Sequence, residues 1–181
     1  MEDLSLHILD IVENAIRAAA QHVWITITED AARDVLVVEI KDDGVGMSEN
    51  LKNRVTDPFT TTKKTSRVGL GIPLLEQAAQ ESGGEVFITS EPGKGTTVRA
   101  TFQYSHIDRK PLGTISQTLL TLIAGNPSID FSYTHTRNNQ TVHFDTAEWK
   151  HELEGIPINN PEVLRLIKKN LAETLGTIGV S

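Results

Sequence analysis

Residues 35–46 read Val-Leu-Val-Val-Glu-Ile-Lys-Asp-Asp-Gly-Val-Gly. Val35 to Lys41 has the β-branched, aliphatic density of a strand. It runs directly into a glycine-rich loop, Asp42-Asp43-Gly44-Val45-Gly46. An aspartate at a strand end presents a fixed acceptor to a ligand donor, and the glycines let a ligand approach the backbone closely. No GxGxxG follows a strand and opens a helix, so the loop is not a dinucleotide fingerprint. Taken alone, Asp-x-Gly-x-Gly reads equally well as a plain turn.

Upstream, Val23-Trp-Ile-Thr-Ile-Thr28 alternates like a half-buried strand. Before it, Leu4, Ile8, Ile11, Ala15 and Ala19 recur at helical spacing, which predicts a helix over 4–21, capped by Asp3 or Ser5. Downstream, Ser48 begins a short polar helix and residues 55–71 are irregular. A helix is predicted over 72–82, with Pro73 tolerated in its first turn and Gly83-Gly84 ending it. Strands over 85–89 and 96–103 flank the turn Glu91-Pro-Gly-Lys-Gly95. The order helix, two strands, helix, loop, helix, two strands contains no βαβ repeat. It predicts an α+β fold, a mixed sheet with helices on one face.

His106 to Pro111 looks like a boundary, so the expected units are 1–105 and 106–181. Leu112, Ile115, Leu119, Leu122 and Ile123 suggest a helix ending near Gly125. Residues 129–136 and 141–145 alternate around Asn138-Asn139, a hairpin signal. A short helix near 147–154 follows, and Asn160-Pro161 opens a last helix with the stripe Leu164, Ile167, Leu171 and Leu175. The second unit is therefore expected to be a small C-terminal helix–hairpin–helix appendage.

Composition narrows the function. The chain has 181 residues, 38% of them hydrophobic, enough to bury a core. Lys plus Arg is 17 against 24 Asp plus Glu, a formal net charge of -7. Such a chain makes a poor non-specific binder of nucleic acid or membrane surface. It has no Cys, which excludes disulfides, thiol catalysis and Cys-ligated zinc. No apolar run reaches the length of a membrane span, and Met-Glu-Asp-Leu does not open a secretory signal. A soluble cytoplasmic protein is expected, with no nucleic-acid or membrane partner.

Three further stretches carry chemistry. His7, Asp10, Asn14 and Arg17 form one polar stripe on the first helix. Alone this is a solvated helix face. Combined with a polyanion it becomes a site, because Asn14 can offer a hard oxygen to Mg²⁺ and Arg17 a planar fork of donors to phosphate. Gly69-Leu-Gly71 opens a helix after Thr60, Thr61, Thr62, Lys63, Lys64 and Arg67, so its backbone N–H groups can cradle phosphate. The long loop before it suggests a lid. Gly93-Lys-Gly-Thr96-Thr97 alone is a tight turn. Rival motifs fail: GxxxxGK[ST] is absent, and so are the protein-kinase catalytic-loop and DFG signatures.

Together, in this order and spacing, these elements closely resemble the GHKL ATP-binding superfamily of histidine kinases, gyrase, Hsp90 and the MutL proteins. Leu9-Asp-Ile-Val-Glu-Asn14-Ala-Ile-Arg17 resembles the N box and Asp42-Asp-Gly-Val-Gly46 the G1 box. Asp57-Pro-Phe59-Thr-Thr-Thr-Lys63 resembles the F box, Gly69-Leu-Gly71 the G2 box, and Gly93-Lys-Gly95-Thr96-Thr the G3 turn. The Pro-Phe-Thr-Thr form points to the histidine-kinase branch, and the resemblance covers about residues 1–103. It implies a Bergerat-type fold, a two-layer sandwich of a mixed, mostly antiparallel sheet backed by helices. It implies ATP and Mg²⁺ as cofactors. Asn14 would coordinate the metal, with help from Asp10, and Arg17, Lys63 and Arg67 would face phosphate. Asp42 would accept the adenine amino proton, Gly44 and Gly46 would admit the base, Gly69 and Gly71 would cradle phosphate, and Thr97 would help close the adenine pocket. Residues 57–68 would be the lid.

Three departures shape the functional expectation. Asp10 stands where hydrolysing members carry Glu as general base, one methylene longer. Arg67 replaces the first Gly of the G2 pattern. No phosphoacceptor helix pair precedes the N box in this sequence. The expected activity is therefore transfer of the γ-phosphate to a partner protein in trans. The alternatives are an ATP-driven switch with slow hydrolysis, and a nucleotide-binding module without turnover. His7 is the tempting internal acceptor, but its place on the Asn14 face favours a packed residue. His135 and His143 lack a third metal ligand and read as polar strand faces. The appendage is expected to pack on the ATP unit, form a dimer contact, or dock a partner.

Overall fold

The computed structural model describes residues 3–56 and 71–181. Its elements are α1 (Leu4–Arg17), β1 (His22–Asp30), β2 (Val35–Asp42), α2 (Glu49–Val55), α3 (Gly71–Glu81), β3 (Val86–Glu91), β4 (Gly95–Gln103), α4 (Ile115–Gly125), β5 (Asp130–Arg137), β6 (Gln140–Asp145), α5 (Thr146–Glu152) and α6 (Pro161–Gly176). The F-box stretch, the loop expected as a lid, Lys63, Arg67 and Gly69 lie outside the described residues.

The strands form one sheet in the order β3-β4-β2-β1-β5-β6. All neighbours are antiparallel except β1 and β5. The expected α+β architecture is therefore present. Alternation sends Val23, Ile25 and Ile27 of β1, Leu36, Val38 and Ile40 of β2, and Val98, Ala100 and Phe102 of β4 to one buried face. There they meet apolar stripes of α1, α3, α4 and α6. Each fully buried Leu or Ile contributes about 1.5–3 kcal/mol. The other face carries Trp24, Glu39, Lys41, Arg99 and His143 toward solvent.

Local signals explain the element ends. Asp3 caps α1 through the Leu6 N–H, Ser48 caps α2 through that of Leu51, and Asn160 caps α6 with Pro161 following. Asn138 and Asn139 take φ values of 47° and 69°, as a two-residue hairpin turn demands. The helix expected over 4–21 stops at Arg17. Ala19 turns left-handed at φ 60°, and the next residues join the sheet, where Gln21 O accepts from Asp130 N at 2.9 Å.

The hairpin expected in the appendage continues the sheet. β5 lies parallel to β1, with His22 opposite Asp130 and Glu29 opposite Arg137. Residues past 106 thus supply two of the six strands. This register explains a buried polar seam. The polar strand face expected for His135 is not found: it is fully buried on the helix side. Its Nδ1 bonds Tyr133 Oη at 2.6 Å and its Nε2 bonds Glu29 Oε1 at 2.8 Å. Burial pushes the Glu29 carboxyl up, but the His135 bond and charge, then Arg137, bring it below the usual range. His143 does face solvent, beside Thr134.

Candidate functional site

A cavity of about 550 Å³ opens between α1, the β2–α2 loop and the start of β4. That is an ordinary volume for a small-molecule site. Its walls are mainly apolar, with Ile11 and Ala15 from α1, Ile40 and Val98 from the sheet, and Met47 and Ile72 beyond. The polar groups are few: Asn14 and Arg17 from α1, Asp42 from β2 and Thr96 from β4.

Asp42 ends β2 at a core-facing position and is only 6% exposed. Its Oδ1 accepts the Gly44 N–H at 2.8 Å, and the Thr96 N–H also points to the carboxylate. Burial pushes its pKa up, only partly opposed by those bonds. A carboxylate held in an apolar cavity with lone pairs to spare is built to accept a ligand N–H.

The loop after Asp42 is packed backbone against backbone. Val45 N donates to Ala18 O at 2.9 Å, and Val45 O accepts from Gly93 N at 2.7 Å. A Cβ on Gly46 would stand 2.0 Å from Glu91 O, and one on Gly95 1.9 Å from Asp42 O. Both glycines have positive φ, so neither position admits a side chain. Ser90 Oγ ties the turn together, accepting from Met47 N at 2.8 Å and meeting Thr96 Oγ1 at 2.8 Å.

The last turns of α1 present Asn14 and Arg17. Arg17 bonds Asn14 Oδ1 at 3.3 Å and Glu13 at 3.2 Å, while remaining about half exposed. The Asn14 amide nitrogen is buried with no protein partner. Its donor N–H groups are left without a partner, while Asn14 itself lines the cavity. Among the described residues no group of three His, Cys, Asp or Glu could cage a metal. The hard donor that a Mg²⁺ ion would take here is the Asn14 carbonyl oxygen, bonded by Arg17 at 3.3 Å.

The other expected residues divide. Gly44 sits behind Asp42, where a Cβ would come within 2.6 Å of Ala18 O. Gly71 opens α3 directly against Asp10, where a Cβ would lie 3.0 Å from that of Asp10. Asp10 does not line the cavity itself; it stands one turn before Asn14. Thr97 needs correction. It pairs with Lys41 on the outward parity of β4, while Thr96 pairs with Asp42 and lines the cavity. Strand alternation back from Val98 and Ala100 could have found Thr96. His7 is 3% exposed with Nδ1 unpartnered, which fits a packed residue. Sequence reasoning missed the small Ala15 and Ala18, whose size widens the cavity.

A family model described as "Histidine kinase-, DNA gyrase B-, and HSP90-like ATPase" matches residues 2–106. Sporulation kinase E of Bacillus subtilis is 35% identical over 94 residues, 51% of this chain and 13% of that protein. Sensor histidine kinase WalK of the same organism is 30% identical over 111 residues, 57% of this chain and 18% of that protein. The chain thus spans under a fifth of the length of these relatives. The ATPase domain of Aquifex aeolicus MutL, complexed with ADP, aligns with a TM-score of 0.50 at 16% identity. It covers 78% of this chain and 62% of that one, so the shared fold reaches past residue 106.

Proposed function

The chain belongs to the histidine kinase-, DNA gyrase B- and HSP90-like ATPase family, and we propose that it uses Mg-ATP to phosphorylate a partner protein in trans. The observation that carries this reading is that Asp42 and Asn14 share the wall of one mainly apolar cavity. Asp42 accepts the adenine amino group, whereas a base with a carbonyl there would meet the carboxylate as a second acceptor. The apolar walls cover the base faces. Asn14 is the residue that would hold Mg²⁺, and Asp10 is the nearest carboxylate on the same helix. Bound Mg²⁺ supplies neutralisation of phosphoryl charge. Arg17 swings from Glu13 to a phosphate oxygen, exchanging one exposed ion pair for another.

Two observations support an external acceptor. His7 is too buried to reach a phosphoryl group without opening α1. Asp10 is a short base packed on Gly71, which disfavours water activation and leaves transfer as the productive outcome. A second reading, an ATP-driven switch, draws support from the β1–β5 pairing, which welds the C-terminal hairpin to the strand following α1.

The test incubates the protein with Mg²⁺ and γ-labelled ATP, alone and with cell extract, using Asp42→Asn as control. The kinase reading expects acid-labile label on a second protein, lost with the control. Free phosphate with no protein label would replace it with the switch.

A further inference from the structure

We propose that Asp43 is a positioning residue that holds the adenine end of the cavity in register with its phosphate end. The inference rests on the nucleotide reading above and adds a residue to it. Asp43 does not line the cavity. Alternation along the strand end sends Asp42 inward and Asp43 the opposite way. Its Oδ1 accepts two backbone N–H groups, from Gln21 at 2.8 Å and His22 at 2.9 Å. Its own N–H bonds His22 O at 3.3 Å, and Val45 N bonds Ala18 O at 2.9 Å. Residues 43–45 are thereby laced to residues 18–22.

Residues 18–22 are the exit of α1, whose last turn carries Asn14 and Arg17. This exit is not a relaxed connection. Ala19 sits at φ 60°, a conformation that disfavours any residue with a Cβ. The helix's own closing bonds, Ala19 N to Ile16 O at 3.0 Å and Ala20 N to Ala15 O at 3.1 Å, hold that turn, and Asp43 then fixes the two residues after it as a charged acceptor for both their N–H groups. Together with the pairing of Val23 against Asp42 in the β1–β2 ladder, this lacing ties the strand end that carries Asp42 to the exit of the helix that carries Asn14. A ligand spanning both residues binds well only if their separation is fixed beforehand.

The test compares ATP and ADP affinities of wild type, Asp43→Ala, Asp43→Asn and Asp43→Ser by calorimetry, with melting temperatures alongside. Asp43→Ala should lose about tenfold in affinity. The loss should be the same for ATP and ADP, since the defect lies in register rather than in a γ-phosphate contact. Asp43→Asn keeps an acceptor oxygen of the same reach and should restore affinity to within about twofold. Asp43→Ser, too short for both bonds, should fall between and serves if the alanine variant does not fold. Wild-type affinity in Asp43→Ala would overturn the positioning role and leave the nucleotide reading intact. So would equal losses in Asp43→Ala and Asp43→Asn. A wild type that binds neither nucleotide would overturn both.

Discussion

At the residue scale, two buried groups sit in environments that oppose their charge, Asp42 in the cavity wall and His7 in the packed face of α1. Asp42 is an acid whose burial raises its folded pKa. Its carboxylate therefore costs stability once pH exceeds the ordinary carboxylate range, and a neutral isostere removes that cost. Without nucleotide, Asp42→Asn should melt higher than wild type at neutral pH, by about 2 °C. A lower melting point would contradict the burial argument. His7 behaves in the opposite sense. Burial, then the N-terminal charge, lowers its folded pKa below 6.5, with Asp10 only partly opposing. As pH falls through 6.5 the unfolded chain takes up the proton first, so stability declines toward acid. The slope is at most about 1.4 kcal/mol per pH unit. Urea titrations between pH 7.5 and 5.5 should show that decline in wild type and a flatter profile in His7→Leu. Asp42 and Asn14 were legible because their motifs are local. The burial of His7 was not, since its neighbours come from distant elements.

At the element scale, strand parity decides which residues meet the ligand. Thr96 and Thr97 are adjacent and chemically identical, and only the register with Asp42 separates them. Thr96→Val should weaken ATP binding about fivefold, by removing the hydroxyl that meets Ser90 at the cavity wall. Thr97→Val should leave it unchanged. The reverse result in a binding titration would mean that the β2–β4 register is wrong. The same parity explains His135. Its strand reads as alternating polar residues, and nothing near it in sequence announces Glu29, 106 positions earlier. Helix caps and the Asn138-Asn139 turn were readable because their signals are contiguous. Pairing partners across the chain were not.

At the scale of the whole molecule, the expected division near residue 105 meets a continuous sheet. β5 covers the full length of the β1 edge from His22 to Glu29, and α4 packs its buried Ile115, Leu119, Leu122 and Ile123 into the shared core. A fragment of residues 1–105 would bare that strand edge and an apolar helix-binding surface. It should be aggregation-prone in size-exclusion chromatography. A monomeric fragment with a sharp melting transition would show that the ATP unit stands alone. The sequence suggested a hairpin there, but hairpin chemistry is silent on which edge receives it. Among the described residues no helix is long and apolar enough to cross a membrane.

The central claim is that one cavity holds ATP by its base on Asp42. Calorimetric titration of Mg-ATP into the full chain, with Asp42→Asn beside it, tests this most directly. The account predicts saturable binding at one site per chain, weakened at least about tenfold in the variant. No binding by wild type, or equal binding by both proteins, would contradict it.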